Sequence, residues 1–194
     1  MFPSREFYGG KLRSGITDSE AALRVLRSSS VFPWPLGFNG VICPTVFVHC
    51  PEEEDMGGMS KHNPGQVEFV KQIIQQLRTT IDDQSESRSL QITVLSPYTR
   101  QIQDLRHRLS SYSPPIPCST VDAFQGRESD IIVFSTVRAN AERDIGFVDD
   151  ARRMNVMWTR ARLGLIIVGH KETMSSNPLW KRAIESCEPI DISV

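Results

Sequence analysis

Three features of the sequence predict an α/β fold, with a parallel sheet carrying helices on both faces. Short apolar runs recur along the chain, stretches with helical spacing alternate with them, and the runs are continuous instead of in-out patterned. A strand that is apolar on both sides must be covered on both sides, as in a parallel sheet whose crossovers are helices. At 194 residues the chain is long enough for a single domain. Residues 1–40 read as an amino-terminal arm packing on it, and residues 41–194 as the domain proper.

The arm is rich in Pro, Gly and Ser and has weak periodicity, apart from a short helical stretch near Asp18–Arg27. Pro44–Cys50 ("PTVFVHC" with its proline) reads as the first buried strand, and the acidic "PEEEDMGGMSKH" after it as a mobile loop. At "NPGQVEFVKQIIQQL" the period changes: Val67, Val70, Ile74 and Leu77 share one helical face. Asn63 is placed to cap that helix, Pro64 suits its first turn, and Gln66 stands where a capping box has its reciprocal side chain. Leu90–Ser96 is a second strand, followed by a helix from about Thr99 to Leu109. "PPIPCSTV", Asp130–Val137 and Leu163–Gly169 supply three more strands. Between the last two lies a helix starting near Asp150, and a final helix occupies about Pro178–Cys187.

Composition narrows the function less than local pattern does. The 22 Lys and Arg nearly balance the 23 Asp and Glu, so net charge argues neither for nor against a nucleic-acid partner. No apolar run approaches a membrane span, and "MFPSREFYGG" lacks the apolar stretch of a signal peptide. The expectation is a cytoplasmic or nuclear protein with no membrane partner. Four scattered cysteines without a C-x-x-C pair read as reduced thiols. His49 beside Cys50 is the one metal-like neighbour pair; it sits in an apolar strand, and no metal site is expected.

Polar signals fall in loops that follow strands, where open α/β sheets carry their working residues. These are "SPYTRQ", "DAFQGRESD" and "RANAERDIGF". The segment "RRMNVMWTRAR" holds four arginines in eleven residues and neither lysine nor acid. On a helix, Met154, Met157, Trp158 and Ala161 form an apolar stripe, while Arg153 and Arg160, seven apart, share another face. A planar guanidinium fork grips phosphate bidentately where lysine offers only a point charge, so the exclusive use of arginine tilts the segment toward anion binding. Solvated surface arginines are the plain alternative.

Taken together, these segments resemble a known family. "STVDAFQGRESDIIVFSTVRAN" is similar to motif V, and "IGFVDDARRMNVMWTRARLGLIIVG" to motif VI, of superfamily 1 helicases in the nonsense-mediated-decay helicase and senataxin branch. "VLSPYTRQIQDLR" resembles motif IV, and "FPSREFYGGKLRSG" the stretch after the first helicase domain, so the likeness runs from Phe2 to about Trp180. It implies a RecA-like fold of the P-loop NTPase type, serving as the second motor domain of an ATP-dependent RNA or DNA helicase. It implies Arg160 as the arginine finger, Gly126 and Glu128 as nucleotide-contacting positions, and Arg153 and Arg100 as candidates for the same site. Ser96, Pro97, Tyr98, Thr120 and Asp122 resemble positions near the nucleic-acid track. The implied cofactors are ATP and Mg2+, shared with a first RecA-like domain, and the implied partner is a single strand of RNA or DNA.

The chain departs from the family in places. Gln66 stands where Glu is frequent, Ile102 follows Gln101 where an arginine is sometimes found, and Trp158 replaces an aliphatic residue and requires local repacking. Neither a G-x-x-x-x-G-K-[ST] loop nor a magnesium-holding acidic pair is present, so the chain is expected to hydrolyse no ATP alone. The alternatives are a stand-alone nucleic-acid or protein binding module and an inactive fragment.

Overall fold

The computed structural model describes residues 2–11, 25–26, 30–37, 40–55, 57, 60–79 and 90–190. The helical stretch expected at Asp18–Arg27 lies outside them, apart from Val25 and Leu26. Six parallel strands form one sheet: β1 (Thr45–His49), β2 (Ile92–Ser96), β3 (Cys118–Thr120), β4 (Ser129–Ser135), β5 (Ala161–Gly169) and β6 (Glu188–Ile190), in the order β3-β2-β4-β5-β1-β6. The helices whose full span is described are α1 (Phe2–Phe7), α2 (Pro64–Arg78), α3 (Thr99–Arg108), α4 (Ala151–Trp158), α5 (Lys171–Met174) and α6 (Pro178–Glu185). The sequence pattern misses α1, α5 and β6, which are too short to carry a period.

Strand periodicity divides the core into two layers. Val46, Val48, Val94, Ile131, Val133, Ile166 and Val168 face the layer made by α2 and α3. Their neighbours Phe47, Leu95, Ile132, Phe134, Leu165 and Ile167 face the layer made by α4 and α6. Successive side chains on a strand point to opposite faces, so continuous apolar runs fill both layers. The arm contributes to each: Leu26, Phe32 and Trp34 to the first, Phe2 to the second. Phe2 lies against Trp158, ring centroids 4.6 Å apart, which is the packing this bulkier residue requires.

Helix starts follow the sequence, with one correction. Asn63 Oδ1 accepts from the Gln66 N–H at 2.9 Å, so it caps α2. Gln66 does not complete a capping box. Its Oε1 instead accepts from Ser135 Oγ at 2.9 Å and from the Val137 N–H at 2.8 Å, while Gln101 Oε1 takes the Asn63 N–H. These bonds hold Val137 at φ 71, a left-handed backbone that a β-branched residue adopts only when its surroundings dictate it. Asp150 caps α4 through the N–H groups of Arg152 and Arg153. That helix ends at Trp158, so Ala161 opens β5 instead of extending the apolar stripe, and Arg160 falls in the connection.

Candidate functional site

Strand register separates the expected site residues into two groups. Ser96, Pro97 and Tyr98 leave the carboxyl end of β2, and Thr120 and Asp122 the carboxyl end of β3, since Ser96 pairs with Thr120. Arg160 precedes β5 at the opposite, amino end of the sheet, where its carbonyl accepts from the N–H of Ser129 at the start of β4. The segment 121–128 and helix α4 both run between these ends on one face, with Phe124 and Met154 in the same core layer. Arg153 and Arg160 therefore meet one neighbouring segment at two points.

Their environments differ. Arg153 is neutralised: Nε and Nη2 donate to the Asp122 carboxylate at 3.0 and 3.1 Å, and Asp150 lies 3.8 Å from Nη1. Arg160 meets only neutral acceptors. Nε donates to Val156 O at 3.1 Å, Nη1 to Arg127 O at 3.3 Å and Nη2 to Thr159 Oγ1 at 3.0 Å, and no carboxylate among the described residues lies within 4.0 Å. The carbonyls fix the fork without cancelling its charge. Arg162, by contrast, pairs with Asp130 at 2.9 Å.

Gly126 and Glu128 lie beside Arg160's contact at Arg127, and both are exposed. Gly126 has φ 79, and a Cβ there would meet nothing within 4 Å, so the turn needs glycine for its backbone and leaves open space over it. Arg100 is not brought to this group. It is engaged at the carboxyl end of the sheet, Nη2 to Asp55 at 2.9 Å and Nη1 to Gly57 O at 2.9 Å.

At the carboxyl end, Pro97, Thr120 and Asp122 are accessible while Ser96 is fully buried. Tyr98 is 3% exposed and presents no face for a base to lie on; its hydroxyl meets Arg138. The "mobile" acidic loop is anchored in part: Glu54 is fully buried, and its Oε2 accepts from Arg138 Nε at 2.8 Å, the Ala139 N–H at 2.8 Å and Asn140 Nδ2 at 3.1 Å. Arg138 also donates to Asp144 at 3.0 Å, and against the cost of burial its bonds to Tyr98, Glu54 and Asp144 hold its guanidinium more firmly protonated than usual. Sequence reasoning missed Glu54 and Arg138, because ion-pair partners 84 positions apart leave no local signal.

His49 and Cys50 form no chelating pair, since Cys50 is buried in the core while His49 is exposed. His49 groups instead with His170 and Glu172. Both Nδ1 atoms accept backbone N–H groups, from Lys171 and Thr173, which leaves both Nε2 atoms facing the Glu172 carboxylate, at 3.9 and 3.4 Å. Among the described residues, no helix is long and apolar enough to cross a membrane.

A family model described as an AAA domain, AAA_12, matches residues 1–172. The chain belongs to this family. AAA_12 domains form the carboxyl-terminal half of superfamily 1 helicases related to the regulator of nonsense transcripts 1 and Sen1. The chain is similar to the probable helicase MAGATAMA 3 of Arabidopsis thaliana, 35% identical over 96% of this chain and 22% of that protein. It is 33% identical to a regulator of nonsense transcripts 1 homolog of Drosophila melanogaster, over 95% of this chain and 15% of the relative. Likeness to the helicase sen1 of Schizosaccharomyces pombe is 32% over 95% of this chain and 11% of the relative. The chain thus spans 11 to 22% of the length of these relatives. The six-stranded all-parallel sheet is the RecA-like α/β fold expected of an AAA_12 domain.

Proposed function

We propose that this AAA_12 domain is the second motor domain of an ATP-dependent helicase and supplies its arginine finger from Arg160. The observation that carries the reading is which arginines have their charge compensated by a carboxylate. Arg153, Arg162 and Arg138 each have a carboxylate, whereas among the described residues Arg160 is held only by carbonyls and a hydroxyl. A cation fixed in place yet uncompensated is suited to charge arriving from outside the domain. The neighbouring chain fits a phosphate-bearing ligand: Gly126 leaves the backbone approachable, and Glu128 is the accessible carboxylate beside it.

ATP would supply the phosphoryl anhydride, and Mg2+ would be held by acids of a first RecA-like domain. This chain's part is to deliver a delocalised positive charge, an effect worth roughly 10³–10⁵ in rate where an arginine finger has been removed. Pro97 and Thr120, at the carboxyl ends of β2 and β3, would line the track of a single nucleic-acid strand. The reading carries a cytoplasmic or nuclear location with it.

The test is a graft. This chain replaces the matching segment of the Drosophila relative, and RNA-stimulated ATP hydrolysis is measured. The graft should hydrolyse ATP, and Arg160→Ala should lower kcat by roughly 10³-fold or more with nucleotide affinity largely kept. An Arg160→Ala graft as fast as its parent would overturn the reading.

A further inference from the structure

We propose that Phe147 is a stacking platform for one unpaired base of a single nucleic-acid strand. The inference rests on the proposed function, because it names what the track meets at the carboxyl end of the sheet. Phe147 is 63% exposed, the most exposed large apolar side chain among the described residues. Its neighbours in sequence are not: Ile145 is 7% and Val148 4% exposed.

The turn that carries it, Gly146–Asp149, is clamped from both sides. Gly146 has φ 52, and a Cβ there would lie 2.0 Å from Arg138 Nη1 and 3.0 Å from Tyr98 Oη, so only glycine permits the backbone to press against that pair. On the other side Val148 O accepts from Trp180 Nε1 at 2.7 Å. Asp144 closes the turn, accepting from the Gly146 N–H at 2.9 Å while exchanging two hydrogen bonds with Asn140. A ring held out on so constrained a turn loses little freedom on binding, which is the condition for a contact residue.

The surroundings select a base over other occupants. Phe147 stands over an apolar depression lined by Pro97, Val121, Met154 and Trp180, between the loops that leave β2 and β3. The depression holds about 210 Å³ of empty space and is open to solvent on one side, so a flat group can lie across the ring and the depression. The Arg153 guanidinium sits 5.8 Å from the ring centroid, but Asp122 and Asp150 neutralise it. Phosphate gripping is therefore not the chemistry of this spot; stacking on the part of the ring left open by Tyr98, 5.8 Å away, and by the Arg153 guanidinium over it is. An apolar protein surface fits poorly, since a single exposed ring is not the contiguous apolar patch that protein docking needs.

The experiment titrates the chain at low salt with a uridine decamer, a thymidine decamer and an abasic decamer, followed by NMR with labelled phenylalanine rings. Base-containing strands should move the Phe147 ring resonances upfield and the abasic strand should not. Phe147→Leu, which keeps an apolar side chain, should weaken base-containing strands about tenfold, and Phe147→Trp should restore binding. Equal affinity of the parent and Phe147→Leu, or equal binding of abasic and base-containing strands, would overturn the platform while leaving the nucleic-acid reading intact. No binding of any strand would overturn the platform, while the arginine-finger reading stands or falls with ATP hydrolysis by the graft.

Discussion

Replacing Glu54 with Gln tests whether the carboxyl-end loops are held by a buried charge pair or merely by packing. The substitution preserves shape and one acceptor oxygen but removes the charge opposite Arg138. Glu54 is 0% and Arg138 7% exposed at the side chain, so water cannot replace what is lost. Oε1 of Glu54 is buried without a partner among the described residues, and all compensation for desolvating the carboxylate comes through Oε2. Removing one member of such a pair typically costs about 3–5 kcal/mol, because the survivor stays buried and uncompensated. Asp144, 66% exposed, is too well solvated to take over. At roughly 2–4 °C per kcal/mol for a chain of this size, Tm should fall by about 6–20 °C. Urea unfolding followed by circular dichroism measures the loss at constant m. The cycle with Arg138→Met separates the pair from each residue's packing: the double variant should recover part of the single variant's deficit. A loss below about 1 kcal/mol, the level of an exposed pair, would show that the charges are solvated and that the anchor is not ionic.

Gly146→Ala should destabilise by at least about 1–2 kcal/mol, the cost of a left-handed backbone with a Cβ, and more where the methyl meets Arg138; thermal melts of the two proteins decide it. Burial raises the thiols of Cys50 and Cys118 to about 11 and of Cys187 to about 12, so at pH 8 a disulfide reagent should modify the partly exposed Cys43 in the native protein and the other three only on unfolding. The Asp150 carboxyl is lowered by the N–H groups of Arg152 and Arg153, so its contribution as a cap is complete above the unfolded carboxyl range and lost as pH falls through the lowered folded value. Asp150→Ala should therefore cost about 1 kcal/mol at pH 7, with the gap from the parent closing below about pH 4 in a pH series of unfolding curves.

What the sequence made legible was local. Asn63 and Asp150 announce helix starts because a cap reaches two or three residues forward, and Val67, Val70 and Ile74 announce a buried face because helical spacing is a short-range property. The strands were visible because burial on both faces removes polar residues from the run itself. Gln66 misled for a related reason: a capping box and a reach across to β4 begin from the same position, and only the partner distinguishes them. Ser135 and Val137, 69 and 71 residues away, are those partners.

The arginines show where such reading stops. Arg153 and Arg160 are chemically identical, carried by one segment, and equivalent under any argument from composition or period. What separates them is Asp122, 31 positions from Arg153, which the crossover from β3 to β4 brings to one end of α4 and not the other. From α4 to the connection that follows it, the arginines' partners pass from a carboxylate to backbone carbonyls. The distinction between a structural arginine and one with charge left to offer is therefore a property of the topology, expressed through a neighbour that local sequence does not reveal. By the same reasoning Asp122→Asn should release Arg153 without altering Arg160. If the Drosophila graft then lost its dependence on Arg160, the selective role given to residue 160 would belong to the whole arginine face instead.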